Sequence, residues 1–300
     1  MLKNAISLTY MILFSPAKVN IGLQILEKRK DGFHMLRSIM YPIGLCDVLE
    51  IKVRPEGSPP FRLSQSGIPI NSDPDSHLVK RAWRLLCSET TLPPVSLHLH
   101  KQIPVGAGLG GGSSNASTVL LALNQLAPLS LNQERLEALA GRLGSDCPFF
   151  LHKGPMLMEG RGEILSQAKI NLEGLFLVLL FPGIPVSTAE AYSGVHPKLP
   201  DLALETLVSK PVDLWKDKLK NDFEETVCAK YPLIRELKEA LYGAGALYAA
   251  MSGSGSSIYG IFRKQSRLPH ELRKHVIWEG PFNPVPPEGG ILEPGPPPSH

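Results

Sequence analysis

A glycine-rich stretch at residues 104–117, PVGAGLGGGSSNAS, has the composition of a binding loop. Five glycines fall between Gly106 and Gly112, and each weakens regular structure by about 0.5–1 kcal/mol relative to alanine. The following Ser-Ser-Asn opens a predicted helix. The N–H groups at a helix start have no partner within the helix and lie at its positive end, so they suit an anion such as phosphate. The stretch therefore predicts a phosphate-binding loop, with a flexible hairpin turn as the alternative.

Two common phosphate-binding patterns do not fit this stretch. A P-loop requires GxxxxGK[ST], and Gly112 stands where the lysine is needed after Gly106 and Gly111. The dinucleotide pattern GxGxxG is satisfied by Gly106, Gly108 and Gly111. However, Leu, Asn and Gln stand where an acidic residue is usual, about 20 positions later.

Three polar residues are candidates for the chemistry, and each has a structural alternative. Asp146 follows the predicted helix end at Gly144 and precedes Pro148, so it can cap a helix. As a carboxylate it can instead accept a proton in catalysis. Lys18 is either a reactive cation or a solvated surface charge. Asn20 lies two residues further, on the same strand face as Lys18, and is either a hydrogen-bonding site residue or a turn residue.

The elements that must position these residues follow from hydrophobic periodicity. Strands are predicted at residues 11–15, 20–26, 47–53, 95–100 and 175–182, and helices at 77–89, 113–127, 132–144 and 231–246. A second glycine-rich segment, MSGSGSSIYGIF at 251–262, predicts a hairpin bend leading into a strand. We expect an N-terminal domain at 11–168, a C-terminal domain at 169–283 and a disordered Pro/Gly-rich tail at 284–300.

Composition limits the class of protein. The chain has 300 residues, is 43% hydrophobic and 20% charged, and carries a formal net charge of +3, without a basic block that would favour nucleic acid. Four separated cysteines predict reduced thiols and no zinc site. Residues 5–14 lack the flanks of a signal peptide, and no apolar run approaches the roughly 20 residues of a membrane helix. We expect a cytoplasmic protein that binds a small anionic molecule.

Four motifs together resemble a known family. PVGAGLGGGSSNAS is similar to the phosphate loop of the galactokinase, homoserine, mevalonate and phosphomevalonate kinase superfamily. FSPAKVNIGLQILEKRKDGFH at 14–34 resembles the N-terminal signature of the 4-diphosphocytidyl-2-C-methyl-D-erythritol kinases, and SDCPFF at 145–150 and MSGSGSS at 251–257 resemble their later motifs. The resemblance covers about residues 12–265. It implies an α+β fold with a ribosomal-S5-like N-terminal domain, a ferredoxin-like C-terminal domain and an active site in the cleft between them.

The resemblance also implies a reaction and its catalytic residues. The expected reaction moves the γ-phosphoryl group of ATP directly to the 2-hydroxyl of 4-diphosphocytidyl-2-C-methyl-D-erythritol, in non-mevalonate isoprenoid precursor synthesis. Asp146 would be the general base and Lys18 its cationic partner. Mg²⁺ would accompany ATP, with Ser114 as a possible ligand. The residues expected to bind ATP are Pro104, Val105, Gly106, Ala107, Gly108, Leu109, Gly110, Gly111, Gly112, Ser113 and Ser114.

Recognition of the cytidine diphosphate substrate is assigned by the same resemblance. The expected substrate-binding residues are Asn20, Phe33, His34, Tyr192, Gly253 and Ser254. His34 would hydrogen-bond the cytosine edge while the rings of Phe33 and Tyr192 stack on the base. Many relatives have tyrosine in place of Phe33, which keeps the stacking face but lacks the hydroxyl.

Two other functions stay open at this point. One is a kinase of the same superfamily that acts on mevalonate or homoserine, and the other is a non-catalytic nucleotide- or RNA-binding protein. We expect no nucleic-acid or membrane partner, and a monomer or weak homodimer.

Overall fold

The computed structural model of the protein describes residues 10–30, 32–70, 73, 75–127 and 129–282, and the backbone of 290–292. Its strands are β1 Tyr10–Lys28, β2 His34–Val53, β3 Phe61–Gly67, β4 Val95–Lys101, β5 Met156–Gly160, β6 Ile164–Gln167, β7 Phe176–Leu180, β8 Tyr248–Met251, β9 Ile258–Phe262, β10 Val276–Pro281 and β11 Gly290–Leu292. Its α-helices are α1 Leu78–Cys87, α2 Gly111–Leu126, α3 Gln133–Leu143, α4 Thr188–Tyr192, α5 Leu204–Val208, α6 Glu224–Lys230, α7 Pro232–Gly243 and α8 His270–Arg273. Short 3-10 helices cover Pro148–Leu151 and Val212–Leu214. Within these ranges, no helix has the length and apolar character to cross a membrane.

The first sheet carries the N-terminal helices. Its strand order is β11-β1-β2-β4-β3, with β5 also paired to β2 and β6 paired to β5. Leu49 of β2 and Leu97 of β4 share a buried cluster with Val119 of α2 and Leu139 of α3. Burial of this apolar surface, at about 25 cal/mol per Å², holds the helices against one face of the sheet.

The second sheet packs against the first. Its four strands run antiparallel in the order β10-β7-β9-β8. Val19 and Tyr41 of the first sheet share a buried cluster with Leu179 and Tyr259 of the second. The shared core fixes the two sheets relative to each other, so residues from both can form one site. This arrangement confirms the prediction of an α+β fold with two parts.

Strand β1 differs from the prediction of two short strands. It runs unbroken from Tyr10 to Lys28 beside β2, with a register shift between Pro16 and Ala17. Proline has no N–H to donate and is tolerated at such a bulge, where the ladder is already interrupted. Lys18 therefore lies within a continuous, well-anchored strand.

The structure bears differently on two predictions, the domain limit at 168/169 and the disordered tail at 284–300. Apart from β11, the strands of the first sheet end with β6 at Gln167, and those of the second begin with β7 at Phe176, on either side of the proposed limit at 168/169. Separate folding of the two parts stays a prediction. The expectation of a fully disordered tail is wrong for Gly290–Leu292, which pairs antiparallel with Tyr10–Ile12. Backbone pairing needs no particular side chains, so the Pro/Gly composition did not reveal it. Residues 284–289 and 293–300 lie outside the described residues.

Helix α1 begins with a histidine cap that should make stability depend on pH. His77 accepts the N–H of Val79 at Nδ1, 3.2 Å away, and burial with the nearby charge of Lys101 lowers the pKa of His77 below its usual 6.5. Protonation would remove that acceptor. The folded protein thus binds fewer protons than the unfolded chain, so the cap's stabilisation is complete above pH 6.5 and is lost as pH falls below it.

We expect His77→Asn to remove this part of the pH dependence, because asparagine caps a helix without titrating. In urea unfolding, the free energy of unfolding of the wild type should fall by about 1 kcal/mol more than that of the variant between pH 7.5 and the low-pH limit. Equal pH dependence of the two proteins would contradict this role of His77.

Candidate active site

The candidate site is a cavity of about 540 Å³ where the two sheets meet. It is lined by Lys18 and Asn20 of β1, the glycine-rich loop from Pro104 to Ser113, Asp146, and the Gly253–Ser254 turn between β8 and β9. Residues from widely separated parts of the chain therefore share one volume.

The glycine-rich loop is held in shape by backbone hydrogen bonds. Leu109 O accepts the N–H of Lys18 at 3.0 Å, and Ala107 O accepts the N–H of Ser257 at 3.2 Å. Gly108 has a φ of +75°, and a Cβ there would lie 2.0 Å from the carbonyl oxygen of Ser252. The close approach of the two loops thus requires glycine at position 108.

Helix α2 begins two residues earlier than predicted, at Gly111, after Gly110 in the left-handed region with a φ of +69°. A Cβ at Gly111 would lie 2.9 Å from both Ile103 Cγ2 and Lys101 Nζ, so glycine is needed here for packing. The free N–H groups of this first turn adjoin the loop that lines the cavity, which suits bound phosphate.

Lys18 is a buried cation, which excludes the surface-charge alternative. The residue is 3% exposed. Its Nζ donates to Asn20 Oδ1 at 2.5 Å and to Gly108 O at 3.0 Å, and lies 3.5 Å from Asp146 Oδ2. A desolvated ammonium fixed by two neutral acceptors and one carboxylate acts more strongly on nearby negative charge than it would in water.

Asp146 faces the cavity from the turn after α3. Its side chain is 34% exposed, so the carboxylate is open to a ligand. The following 3-10 helix begins at Pro148 with Cys147 at its N-cap and no side-chain cap bond, so the structure does not support the capping alternative for Asp146.

A buried ion pair lies beneath the glycine-rich loop. Asp47 Oδ2 accepts from Lys101 Nζ at 2.6 Å and from Asn115 Nδ2 at 2.9 Å. Asp47 Oδ1 accepts the N–H groups of Gln102 and Ile103, at 2.7 and 2.8 Å. Burial lowers the pKa of Lys101, and Asp47 opposes that shift. One carboxylate thereby connects the chain entering the loop to the helix that leaves it.

Aromatic residues form one end of the site. His34 stacks on Tyr192, which lines the cavity, with ring centroids 4.8 Å apart, and Tyr192 contacts Phe223 edge to face. Burial and the charge of Lys28 lower the pKa of His34, and burial, with the nearby charge of Asp146, raises the pKa of Tyr192 to about 12. Both rings are therefore neutral at pH 7.

Three predicted residues lie outside the cavity wall. Phe33 is 55% exposed, and the Arg161 guanidinium stands 5.0 Å from its ring centroid. His34 does not line the cavity itself, but it stacks on Tyr192 and covers one face of that ring. A base bound between Phe33 and Tyr192 must therefore displace His34 or stack on the other face of the Tyr192 ring. Ser114 lies fully buried behind the loop, and its Oγ has no hydrogen-bond partner among the described residues.

Several cavity residues were missed by sequence reasoning: His77, Lys101, Arg161 and Phe223. Lys101 had a detectable signal, since it continues the inward alternation of Val95, Leu97 and Leu99. A charge at an inward strand position predicts a buried partner. The other three gave no comparable pattern.

Comparison with known families agrees with this geometry. Residues 77–154 match the model described as the GHMP kinases N terminal domain, and residues 203–276 match the GHMP kinases C terminal model. The first segment contains the glycine-rich loop and Asp146.

Relatives extend the match to most of the chain. The 4-diphosphocytidyl-2-C-methyl-D-erythritol kinase of Bacteroides thetaiotaomicron is 45% identical over 86% of this chain and 94% of the relative. The enzyme of that name from Bacteroides fragilis is 46% identical over the same shares. A crystal structure of 4-(cytidine 5'-diphospho)-2C-methyl-D-erythritol kinase superposes with a TM-score of 0.73 and 31% identity, covering 95% of this chain and 100% of that chain. The chain belongs to the 4-diphosphocytidyl-2-C-methyl-D-erythritol kinase family of the GHMP kinases.

Proposed function

We propose that the protein transfers the γ-phosphoryl group of ATP to the 2-hydroxyl of 4-diphosphocytidyl-2-C-methyl-D-erythritol. The observation that carries this proposal is the 3.5 Å approach of Lys18 Nζ to Asp146 Oδ2 beside the glycine-rich loop. The names of the relatives supply the substrate and the class of reaction.

The loop binds the triphosphate of ATP in this proposal. Residues 105–113 present main-chain N–H groups to the phosphate oxygens, and the start of α2 adds its positive end. The absence of side chains at the glycines lets the anion approach the backbone. Transfer then needs mainly correct positioning and charge stabilisation.

Asp146 accepts the proton of the attacking hydroxyl, and Lys18 stabilises the negative charge that develops on its oxygen. A carboxylate is a weak base toward an alcohol. The ammonium compensates because it stabilises the alkoxide as the proton leaves. The phosphoryl group passes directly to the substrate oxygen, and no phospho-enzyme forms.

The cytidine end of the substrate lies at the aromatic end of the cavity. Neutral His34 can both donate and accept at the cytosine edge, and Tyr192 offers a stacking surface worth about 1–3 kcal/mol. Arg161, which lines the cavity beside Phe33, supplies a cation for the diphosphate.

Mg²⁺ enters with ATP in this proposal. The described residues contain no group of three His, Cys, Asp or Glu that could hold a metal ion. Among the described residues that line the cavity, Asp146 supplies the carboxylate. This fits a metal carried mainly by phosphates, because Mg²⁺ in such sites needs only one or two protein carboxylates. When bound, the ion neutralises phosphate charge. Ser114, buried behind the loop, is not proposed as its ligand.

We further propose a cytoplasmic monomer or weak homodimer without nucleic-acid or membrane partners.

An ADP-release assay with a panel of acceptors tests the function. We expect turnover with 4-diphosphocytidyl-2-C-methyl-D-erythritol and little with the same polyol phosphate lacking the cytidylyl group, because the aromatic end is then unfilled. Phosphorus NMR of the product should place the new phosphate on the 2-hydroxyl. Preference for mevalonate or homoserine, or ATP binding without turnover on any alcohol, would refute the proposal.

A further inference from the structure

Ser38 of β2 lies behind the site, outside the cavity wall, and is fully buried. Its Oγ donates to Gly22 O at 2.6 Å and accepts from Asn20 Nδ2 at 2.8 Å. The single hydroxyl proton is used by Gly22, so the oxygen can only accept on the Asn20 side.

This arrangement fixes the orientation of the Asn20 amide. With Nδ2 directed at Ser38, Oδ1 faces the Lys18 ammonium at 2.5 Å. The flipped amide would put an NH₂ group against the ammonium and leave two oxygens facing each other without a proton between them. Both contacts are unfavourable in a buried site.

A β-bulge supplies the acceptor that orients Ser38. In the β1–β2 ladder, Ile21 pairs with Ile39 and Leu23 pairs with Ser38, so Gly22 has no partner in the register. Gly22 has a φ of +66°, and its carbonyl bonds the Ser38 hydroxyl. Bulges re-aim groups near active sites in this way.

We infer that Ser38 is a positioning residue for phosphoryl transfer, acting through Asn20 on the Lys18 ammonium. Two N–H groups of Lys18 are held by Asn20 Oδ1 and Gly108 O, which leaves the third for Asp146 and the attacking oxygen. Without Ser38 the amide turns and the ammonium loses one fixed acceptor. The inference rests on the proposed function and adds a residue that does not touch the substrate.

The test is a double-mutant cycle of Ser38→Ala and Asn20→Ala in the ADP-release assay. Ser38→Ala should lower kcat about 10- to 100-fold with the KM for ATP unchanged, as expected for a small displacement of a catalytic group. In the Asn20→Ala background the same change should cause no further loss, because Ser38 acts only through that amide. Additive losses, or full activity of Ser38→Ala, would overturn the inference.

Two controls separate positioning from folding. Ser38→Thr keeps the hydroxyl, and Ser38→Val has the shape of threonine without the hydroxyl. The threonine variant should therefore retain a far higher kcat than the valine variant. Ser15→Ala removes a buried hydroxyl of the neighbouring strand β1, which bonds Thr118 at 2.6 Å, and should lower Tm without lowering kcat. Equal kcat for the threonine and valine variants would count against the role.

A measurement without substrate keeps this inference separate from the proposed function. The side-chain amide protons of Asn20 should exchange slowly with water in the wild type and much faster in Ser38→Ala, as observed by NMR. A wild type inactive on the cytidyl substrate would refute the function alone. Unchanged exchange in Ser38→Ala would refute the positioning role.

Discussion

Replacement of Asp146 by asparagine is expected to lower kcat about 10³-fold, within the range typical of a lost general base. Asparagine has nearly the same shape but cannot take the hydroxyl proton in the transition state. Lys18, 3.5 Å away, would also lose its anionic partner. The main-chain N–H groups of the loop stay in place, so calorimetric titration with a non-hydrolysable ATP analogue should give a Kd close to that of the wild type.

The matched control is Asp213→Asn. Asp213 pairs with Arg263 at 3.2 Å on the surface, and such exposed pairs contribute only about 0–1 kcal/mol. Its kinetics should equal those of the wild type. Near-wild-type kcat for Asp146→Asn would show that another group accepts the proton, and a large loss of ATP affinity would show that Asp146 mainly serves nucleotide binding.

Periodicity predicted the elements well where one face is buried against a core. The strand at 95–100 and the helices at 77–89 and 132–144 appear as β4, α1 and α3 with shifts of only a few residues at their ends. In each, apolar side chains repeat at the period of the element, so local sequence carries the signal. The short strands β5, β6 and β10 were missed. β5 and β10 form by pairing with the distant strands β2 and β7, and β6 forms by pairing with its neighbour β5.

The site was predictable in part. Lys18 and Asp146 are far apart in sequence, and the residues around them do not indicate that the two side chains lie close together. Only the resemblance to a family suggested this. The Ser38–Asn20 bond depends on a bulge at Gly22, which has no reliable sequence signature. Asp47 and Lys101 could have been paired, since both occupy inward positions on neighbouring strands.

Substitution of Gly108 by alanine is expected to lower kcat/KM for ATP about 100-fold, the effect of displacing reacting groups by about 1 Å. The added Cβ would lie 2.0 Å from Ser252 O, at a φ of +75° that side chains rarely adopt. The backbone of Ser252 is held in place, because its N–H donates to Ser257 O and its carbonyl accepts from the N–H of Gly255. The loop must therefore move, and the carbonyl of Gly108, which accepts from Lys18 Nζ, moves with it.

Stability and kinetics should separate this effect from a general cost of replacing glycine. Gly108→Ala should also lose about 1–3 kcal/mol of unfolding free energy, the usual cost of a strained backbone. Gly141→Ala is the matched control, since it lies inside α3 with no atom within 4 Å of the new Cβ. It should gain about 0.5–1 kcal/mol and keep wild-type kinetics. Wild-type kcat/KM for Gly108→Ala would mean that the contact between the two glycine-rich loops does not position ATP, and the loop would then need another role.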